Sequence, residues 1–204
     1  MNKIDQFFTK NIEDFSSAYF SYLKEIFDNI DLCEIKVFVE TLLQARDRGA
    51  NIFFIGNGGS ASTCSHFAND LSIGVNDYVK PFKAVSLTDN NSIITAIGND
   101  FGYEEIFVRQ LMVCAKSGDI LVGISASGNS QNLLRAFEYA KSSGVETVAL
   151  TAFDGGVMKV ICDKSVHIPT MLKEYGPAED LHMILDHLVS SYLMRHIRIS
   201  DEKS

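Results

Sequence analysis

The chain has 204 residues, a formal net charge of −8 and no cluster of lysine or arginine. That charge balance argues against non-specific nucleic-acid binding. No apolar run reaches the roughly 18–20 residues that span a bilayer, so a membrane protein is not expected. Hydrophobic residues make up 46% and charged residues 22%, an ordinary globular composition with enough apolar side chain for one well-cored domain.

Residues 4–28 place Ile4, Phe7, Phe8, Ile12, Phe15, Tyr19, Tyr22, Leu23 and Ile26 at helical spacing. The opening stretch mixes acids with apolar residues and lacks a signal-peptide pattern, so a cytoplasmic protein is expected. A break follows near Asn29-Ile30-Asp31. A second amphipathic helix is predicted over 32–47, with Gly49 as its C-cap. Residues 1–48 thus read as a helical extension. Phe7, Phe8, Phe15 and Tyr19 could serve an oligomer core or plain packing within the chain.

From residue 49 the rhythm changes. "NIFFIG" (51–56), "FKAVSL" (82–87), "DILVGIS" (119–125), "ETVALT" (146–151) and the weaker "KSVHIP" (164–169) read as strands. Helical patterns separate them at 60–73, 91–96 with 103–115, 129–143 and 156–161. A long helix is predicted over about 177–197, and the terminal "ISDEKS" is expected to fray. Strands alternating with helices imply a five-stranded parallel sheet with helices on both faces. Residues 49–199 would form this α/β core, and the chain 1–204 one domain. The four cysteines are scattered, which suits a reducing compartment and argues against a cysteine zinc site.

In such a sheet ligands bind at the carboxyl ends of the strands. Two ends carry suitable residues. Gly56-Asn57-Gly58-Gly59-Ser60 follows the first strand, and Ser125-Ala126-Ser127-Gly128-Asn129-Ser130 follows the third. Glycine lets backbone approach an anion, serine hydroxyls donate to it, and a helix N-terminus adds partial positive charge. Turn formation and helix capping would account for either loop alone. The pair together points to a phosphate-bearing ligand. The nucleotide P-loop pattern is missing, and no acidic residue is suitably placed for a dinucleotide.

His66 and Asp70 stand four apart on one helix and share a face. Glu179 and His187 stand eight apart on the last helix. Two histidines with two carboxylates suit zinc, and also manganese, iron or nickel. Glu179 could equally be a first-turn acid that complements the helix dipole. His182, Asp186, His167 and His196 are read as structural or solvated. One E-x-x-H string, Glu179 to His182, is not enough for a di-iron bundle.

Four blocks, "GNGGSASTCSHFANDL", "AIGNDFGYEEIF", "GDILVGISASGNSQNL" and "VALTAFDGGVM", resemble the SIS (sugar isomerase) family, and within it the phosphoheptose isomerases. The similarity runs in order from about residue 5 to 195. It implies a flavodoxin-like SIS fold, a homotetramer, and conversion of sedoheptulose 7-phosphate to D-glycero-D-manno-heptose 7-phosphate for lipopolysaccharide or capsule heptose. Asn57, Gly58, Gly59 and Ser60 match the family's first substrate loop, and Asn99 and Asp100 a substrate-contacting pair. Ser125, Ala126, Ser127 and Ser130 match its phosphate loop, with alanine where threonine is familiar.

The resemblance also implies one zinc, or another divalent metal, on His66, Asp70, Glu179 and His187. The family pattern has Glu where this chain has Asp70 and Gln where it has Glu179. Those two changes bear on metal geometry and on which phosphosugar is used. The implied chemistry divides proton transfer between Asp70 and His187, in either order, with the metal polarising the carbonyl. A contrasting reading is a non-catalytic SIS protein that binds a phosphosugar or a replication initiator. The four ligand-capable side chains favour the enzyme over that reading.

Overall fold

The computed structural model describes residues 2–201. A short helix, α1 (Lys3–Phe7), precedes two longer ones, α2 (Ile12–Phe27) and α3 (Leu32–Arg48). The single helix predicted over 4–28 is therefore broken. The Asn11 side chain accepts from the backbone N–H groups of Glu13 and Asp14, and this cap starts a new helix where apolar periodicity alone would continue the old one. Asp31 caps α3 in the same way, and Gly49 closes it at φ 66°.

The core then alternates as expected: β1 (Asn51–Gly56), α4 (Gly59–Asn69), β2 (Lys83–Ser86), α5 (Asn91–Phe101), α6 (Val108–Cys114), β3 (Ile120–Ser125), α7 (Gln131–Ser142), β4 (Glu146–Ala152), α8 (Gly156–Ile161), β5 (Lys164–Ile168) and α9 (Tyr175–Asp201). The helix predicted over 60–73 ends early as regular α-helix, and Asp70–Gly74 form a π turn. α5 runs five residues beyond its predicted end, and Gly102 at φ 102° stops it. α9 continues to Asp201 where fraying was expected from 199; the rest of that expectation, 202–204, lies outside the described residues.

All strand pairings are parallel, in the order β2-β1-β3-β4-β5. This is the flavodoxin-like order, and its direction reverses between β1 and β3. Side chains alternate across each strand. Ile52 and Phe54 pack on the face covered by Phe38 and Leu42 of α3, Phe67 of α4, and Leu185, Val189 and Leu193 of α9. Phe53 and Ile55 pack on the other, with Leu111 of α6, Leu133 and Phe137 of α7 and Met158 of α8. Fully burying a Leu, Val or Phe contributes about 1.5–3 kcal/mol. The stripe Leu185, Val189, Leu193 and Ile197, all buried, therefore fixes the roll of α9 and the direction of its polar residues.

The N-terminal helices dock near the carboxyl ends of the strands. Tyr22 and Ile26 of α2 are buried with Ala126, Ala152, Ile168, Ala178 and Leu181. The Tyr22 hydroxyl donates to buried Glu174, which also accepts from the backbone N–H of Lys3 at 2.5 Å. Phe8, Ile12, Phe20 and Leu32 stay exposed. Among the described residues no helix is long and apolar enough to cross a membrane.

Candidate functional site

The two Gly/Ser loops sit at the carboxyl ends of β1 and β3, adjacent strands on either side of the reversal in strand order. The chain leaves β1 for the face that carries α4 and leaves β3 for the face that carries α7. The point where the connections diverge is the usual place for a ligand in such a sheet.

The first loop turns on Gly58, at φ 55° and ψ −126°, a conformation that L side chains rarely adopt. At Gly59 a Cβ would overlap the Glu179 carboxylate, so the missing side chain lets the last helix bring an acid against the start of α4. Ser60 is buried. Asn57 makes a reciprocal amide pair with Asn132 of α7, its Nδ2 donating at 3.0 Å and its Oδ1 accepting at 2.8 Å. The Tyr103 hydroxyl also donates to Asn57 Oδ1, at 2.9 Å. The two loops are thus tied by side chains that the sequence did not single out. Asn132 is buried, a position where an amide must find partners. Asn99 and Asp100 are exposed at the end of α5 and bond each other at 2.8 Å. Tyr103, from the same segment, provides the link to the first loop.

The second loop is built on its own hydroxyls. Ser125 Oγ accepts from the Gly128 N–H at 3.1 Å, and Ser127 Oγ from the Asn129 N–H at 3.4 Å. Gly128 stands at φ 62°, and a Cβ there would overlap the Gly155 carbonyl. Met158 N–H donates to the Gly128 carbonyl at 2.9 Å and Val157 N–H to Asn129 Oδ1 at 3.0 Å, so α8 braces the loop from outside. Ala126 is buried among the residues that seat α2. Ser130 opens α7 without spending its hydroxyl on a cap. Ser127, Ser130 and the first turn of the twelve-residue α7 can therefore present hydroxyl and amide donors to an anion.

A second group forms where α4 packs along α9. His66 Nε2 and His187 Nε2 lie 3.2 Å apart, and His66 Nε2 lies 3.7 Å from Asp70 Oδ1. The π turn begins at Asp70, whose Oδ1 accepts from Asn69 Nδ2 at 3.0 Å. A small cavity of about 160 Å³ opens beside it, lined by Asp70, Gly74 and Ser190.

The fourth member is Asp186. One ligand atom from each of His66, Asp70, Asp186 and His187 falls within 4.8 Å of all the others. Glu179 stands outside this group, against Gly59. Eight residues of helix separate it from His187, about 12 Å along the axis. Asp186, read from sequence as structural, is instead drawn into the cluster.

Among the described residues, the buried side-chain polar atoms without a hydrogen-bond partner are both Asp186 oxygens and His182 Nδ1. Burial, with the nearby charge of Asp70, pushes the Asp186 carboxyl up to about 8. Burial pushes the His182 imidazole down to about 4, and its Nε2 faces the Thr151 carbonyl at 3.4 Å. Two imidazoles and two carboxylates converging with unsatisfied oxygens fit a divalent cation of the zinc type. A cavity of about 1050 Å³ lies elsewhere, between the β2 edge, α5 and α6, and none of the sequence-predicted site residues lines it.

Comparison with known proteins agrees with this architecture. The SIS domain family matches residues 18–152. A phosphoheptose isomerase of Helicobacter pylori (strain P12) is 38% identical over 162 residues, which is 79% of this chain and 83% of that protein. One from Akkermansia muciniphila is 42% identical over 150 residues, 73% of this chain and 78% of that protein. The structure of the phosphoheptose isomerase GmhA from Neisseria gonorrhoeae superposes with a TM-score of 0.80 at 30% identity, covering 90% of this chain and 98% of the other.

Proposed function

This chain belongs to the SIS-domain family and, within it, to the phosphoheptose isomerases, and from that premise we propose that it converts sedoheptulose 7-phosphate to D-glycero-D-manno-heptose 7-phosphate. The observation that carries the reading is the presence of two chemistries on connected elements. Anion donors stand on the loops after β1 and β3, and a His/Asp group stands between α9 and α4, the helix that leaves the first of those loops.

In this reading Ser127, Ser130 and the start of α7 hold the phosphate, with Ser125 shaping the loop and Ala126 seating it. Asn57, Gly58, Gly59 and Ser60 line the sugar, with Glu179 beside Gly59, and Asn99 and Asp100 close over it from α5. Binding a phosphate far from the reacting carbons fixes their orientation.

Isomerisation then needs a proton moved between neighbouring carbons. A base takes a proton from carbon 1 of the ketose. The freed electron pair forms the C1–C2 double bond, and the carbonyl oxygen on carbon 2 gains a proton. Returning a proton to carbon 2 while the oxygen on carbon 1 loses its own leaves the aldehyde. Asp70 and His187 divide these transfers, the carboxylate through one oxygen and the imidazole through the ring nitrogen that the metal would leave free. His66, Asp70 and His187 would hold the metal, for which we propose zinc. Bound there, it supplies Lewis-acid polarisation of the sugar's oxygens.

The product would feed heptose synthesis for lipopolysaccharide or capsule, in the cytoplasm. We further propose that the whole chain acts as one domain within a homotetramer, and the exposed Phe8, Ile12, Phe20 and Leu32 support such an assembly. Light scattering that returned a monomer would count against it.

The direct test of the reaction is to incubate the purified protein with sedoheptulose 7-phosphate in deuterium oxide and follow it by NMR. Formation of the aldose with solvent deuterium at carbon 2 is expected. An unchanged ketose, in protein shown to bind it, would contradict the assignment.

A further inference from the structure

We propose that Asp186 is a direct ligand of the metal and that Glu179 is not, so that the protein ligands are His66, Asp70, Asp186 and His187 and the Glu179 carboxylate faces the sugar. The inference rests on the reading that this group holds a divalent cation, and it changes which residues do so.

Geometry separates the two acids. Asp186 places an oxygen within 4.8 Å of ligand atoms on His66, Asp70 and His187. Glu179 lies two helical turns away, with its carboxylate where a Gly59 side chain would stand. The start of the eleven-residue α4, which no side chain caps, favours that negative charge through the helix dipole without any metal.

Solvation separates them as well. Asp186 has no exposed surface, and neither of its oxygens has a hydrogen-bond partner. A carboxylate left this way is costly, and its neighbour Asp70 adds like charge. A cation between the two removes both penalties. Glu179 is half-buried and meets no such demand.

Charge count points the same way. Two carboxylates and two neutral imidazoles balance a divalent ion. Adding Glu179 as a third carboxylate would leave the centre net negative beside an anionic substrate. Leaving it outside places a hydrogen-bond acceptor at the first loop, suited to a sugar hydroxyl.

The test compares wild type, Asp186→Asn and Glu179→Gln as full chains, stripped of metal by chelation. Zinc affinity is measured against a chromophoric chelator, and cobalt is added as a spectroscopic probe of the ligand set. The expected result is that Asp186→Asn weakens zinc by about tenfold or more and alters the cobalt visible bands, whereas Glu179→Gln stays within about twofold with an unchanged spectrum. Zinc should also raise the melting temperature of wild type and Glu179→Gln more than that of Asp186→Asn.

Wild-type affinity and spectrum in Asp186→Asn would overturn the inference while leaving the metal site standing. So would loss of zinc in Glu179→Gln, which also decides the matter should Asp186→Asn fail to fold. Wild type that binds neither metal would overturn the metal reading itself, and this inference with it.

Discussion

The Nε2 atoms of His66 and His187 face each other at 3.2 Å, one on α4 and one on α9, with the rings edge to face at 71°. In the absence of a third partner, one ring must donate to the other. A cation shared by both lone pairs would instead let each act as a neutral ligand. The same two helices bring Glu179 against Gly59 farther up. One helix pair thus serves both the first loop and the His/Asp group, and a change at either point should be felt in a different kinetic parameter.

Replacing the proton-handling groups tests the chemistry. Asp70→Asn and His187→Gln keep size and polarity but remove the carboxylate and the imidazole. Each should lower kcat by about 10²–10⁴-fold. Circular dichroism should stay at wild-type values, because Asp70 is only partly buried and His187 is exposed. Turnover unaffected in both variants would remove them from the mechanism.

The Asn57–Asn132 pair should hold the two loops in register. Asn132→Ala leaves the Asn57 amide short of its partner at a partly buried site, a loss of about 1–3 kcal/mol. The expected signature is a fall in both melting temperature and kcat/KM. A variant with wild-type kcat/KM would show that Asn57 is positioned by the backbone and Tyr103 alone.

Gly128 is a sharper probe of the phosphate loop. Gly128→Ala adds strain at φ 62° and drives a methyl into the Gly155 carbonyl. A penalty of about 2 kcal/mol should lower the melting temperature by about 5 °C. Because the loop must move, KM for the sugar phosphate should rise more than kcat falls. A raised KM for the phosphorylated sugar with an unchanged melting temperature would mean the loop yields without strain.

The buried His182 sets an acid sensitivity. Its imidazole titrates near 6.5 when unfolded and is pushed down to about 4 by burial. Between those values the unfolded chain binds the extra proton, so this group favours folding fully above pH 6.5 and loses that contribution as pH falls toward 4. The loss amounts to about 3 kcal/mol over the window. Glutamine at 182 does not titrate, so His182→Gln should show a flatter fall in denaturant midpoint across that range. Parallel falls in the two proteins would place the acid sensitivity elsewhere.

The parallel sheet was legible because its strands are short apolar runs, most of them closed by Gly, Ser or Pro, and helical periodicity fills the intervals. The break before Asn11 was hidden because the apolar spacing of Phe7, Phe8, Ile12 and Phe15 runs through it, and only the cap reveals it. His66 and Asp70 could be paired from their spacing on one helix. The resemblance supplied their histidine partner on α9, His187, but not the acid beside it. Spacing alone leaves Glu179 and Asp186 both near the face of His187. The axial offset between α4 and α9, set by Leu185, Val189 and their apolar neighbours, brings Asp186 to the cluster and Glu179 to Gly59. Asn132 and Tyr103 carry no motif that marks them; they matter through contacts across the fold with Asn57. A polar residue next to His187 and four after His182 was the available sign for Asp186.

The most direct test of the account is turnover of sedoheptulose 7-phosphate by the purified protein before and after chelation, and again after zinc is restored. The account predicts aldose formation that is lost on chelation and regained with zinc. Turnover that survives complete removal of metal, or none in zinc-loaded protein that binds the sugar phosphate, would contradict it.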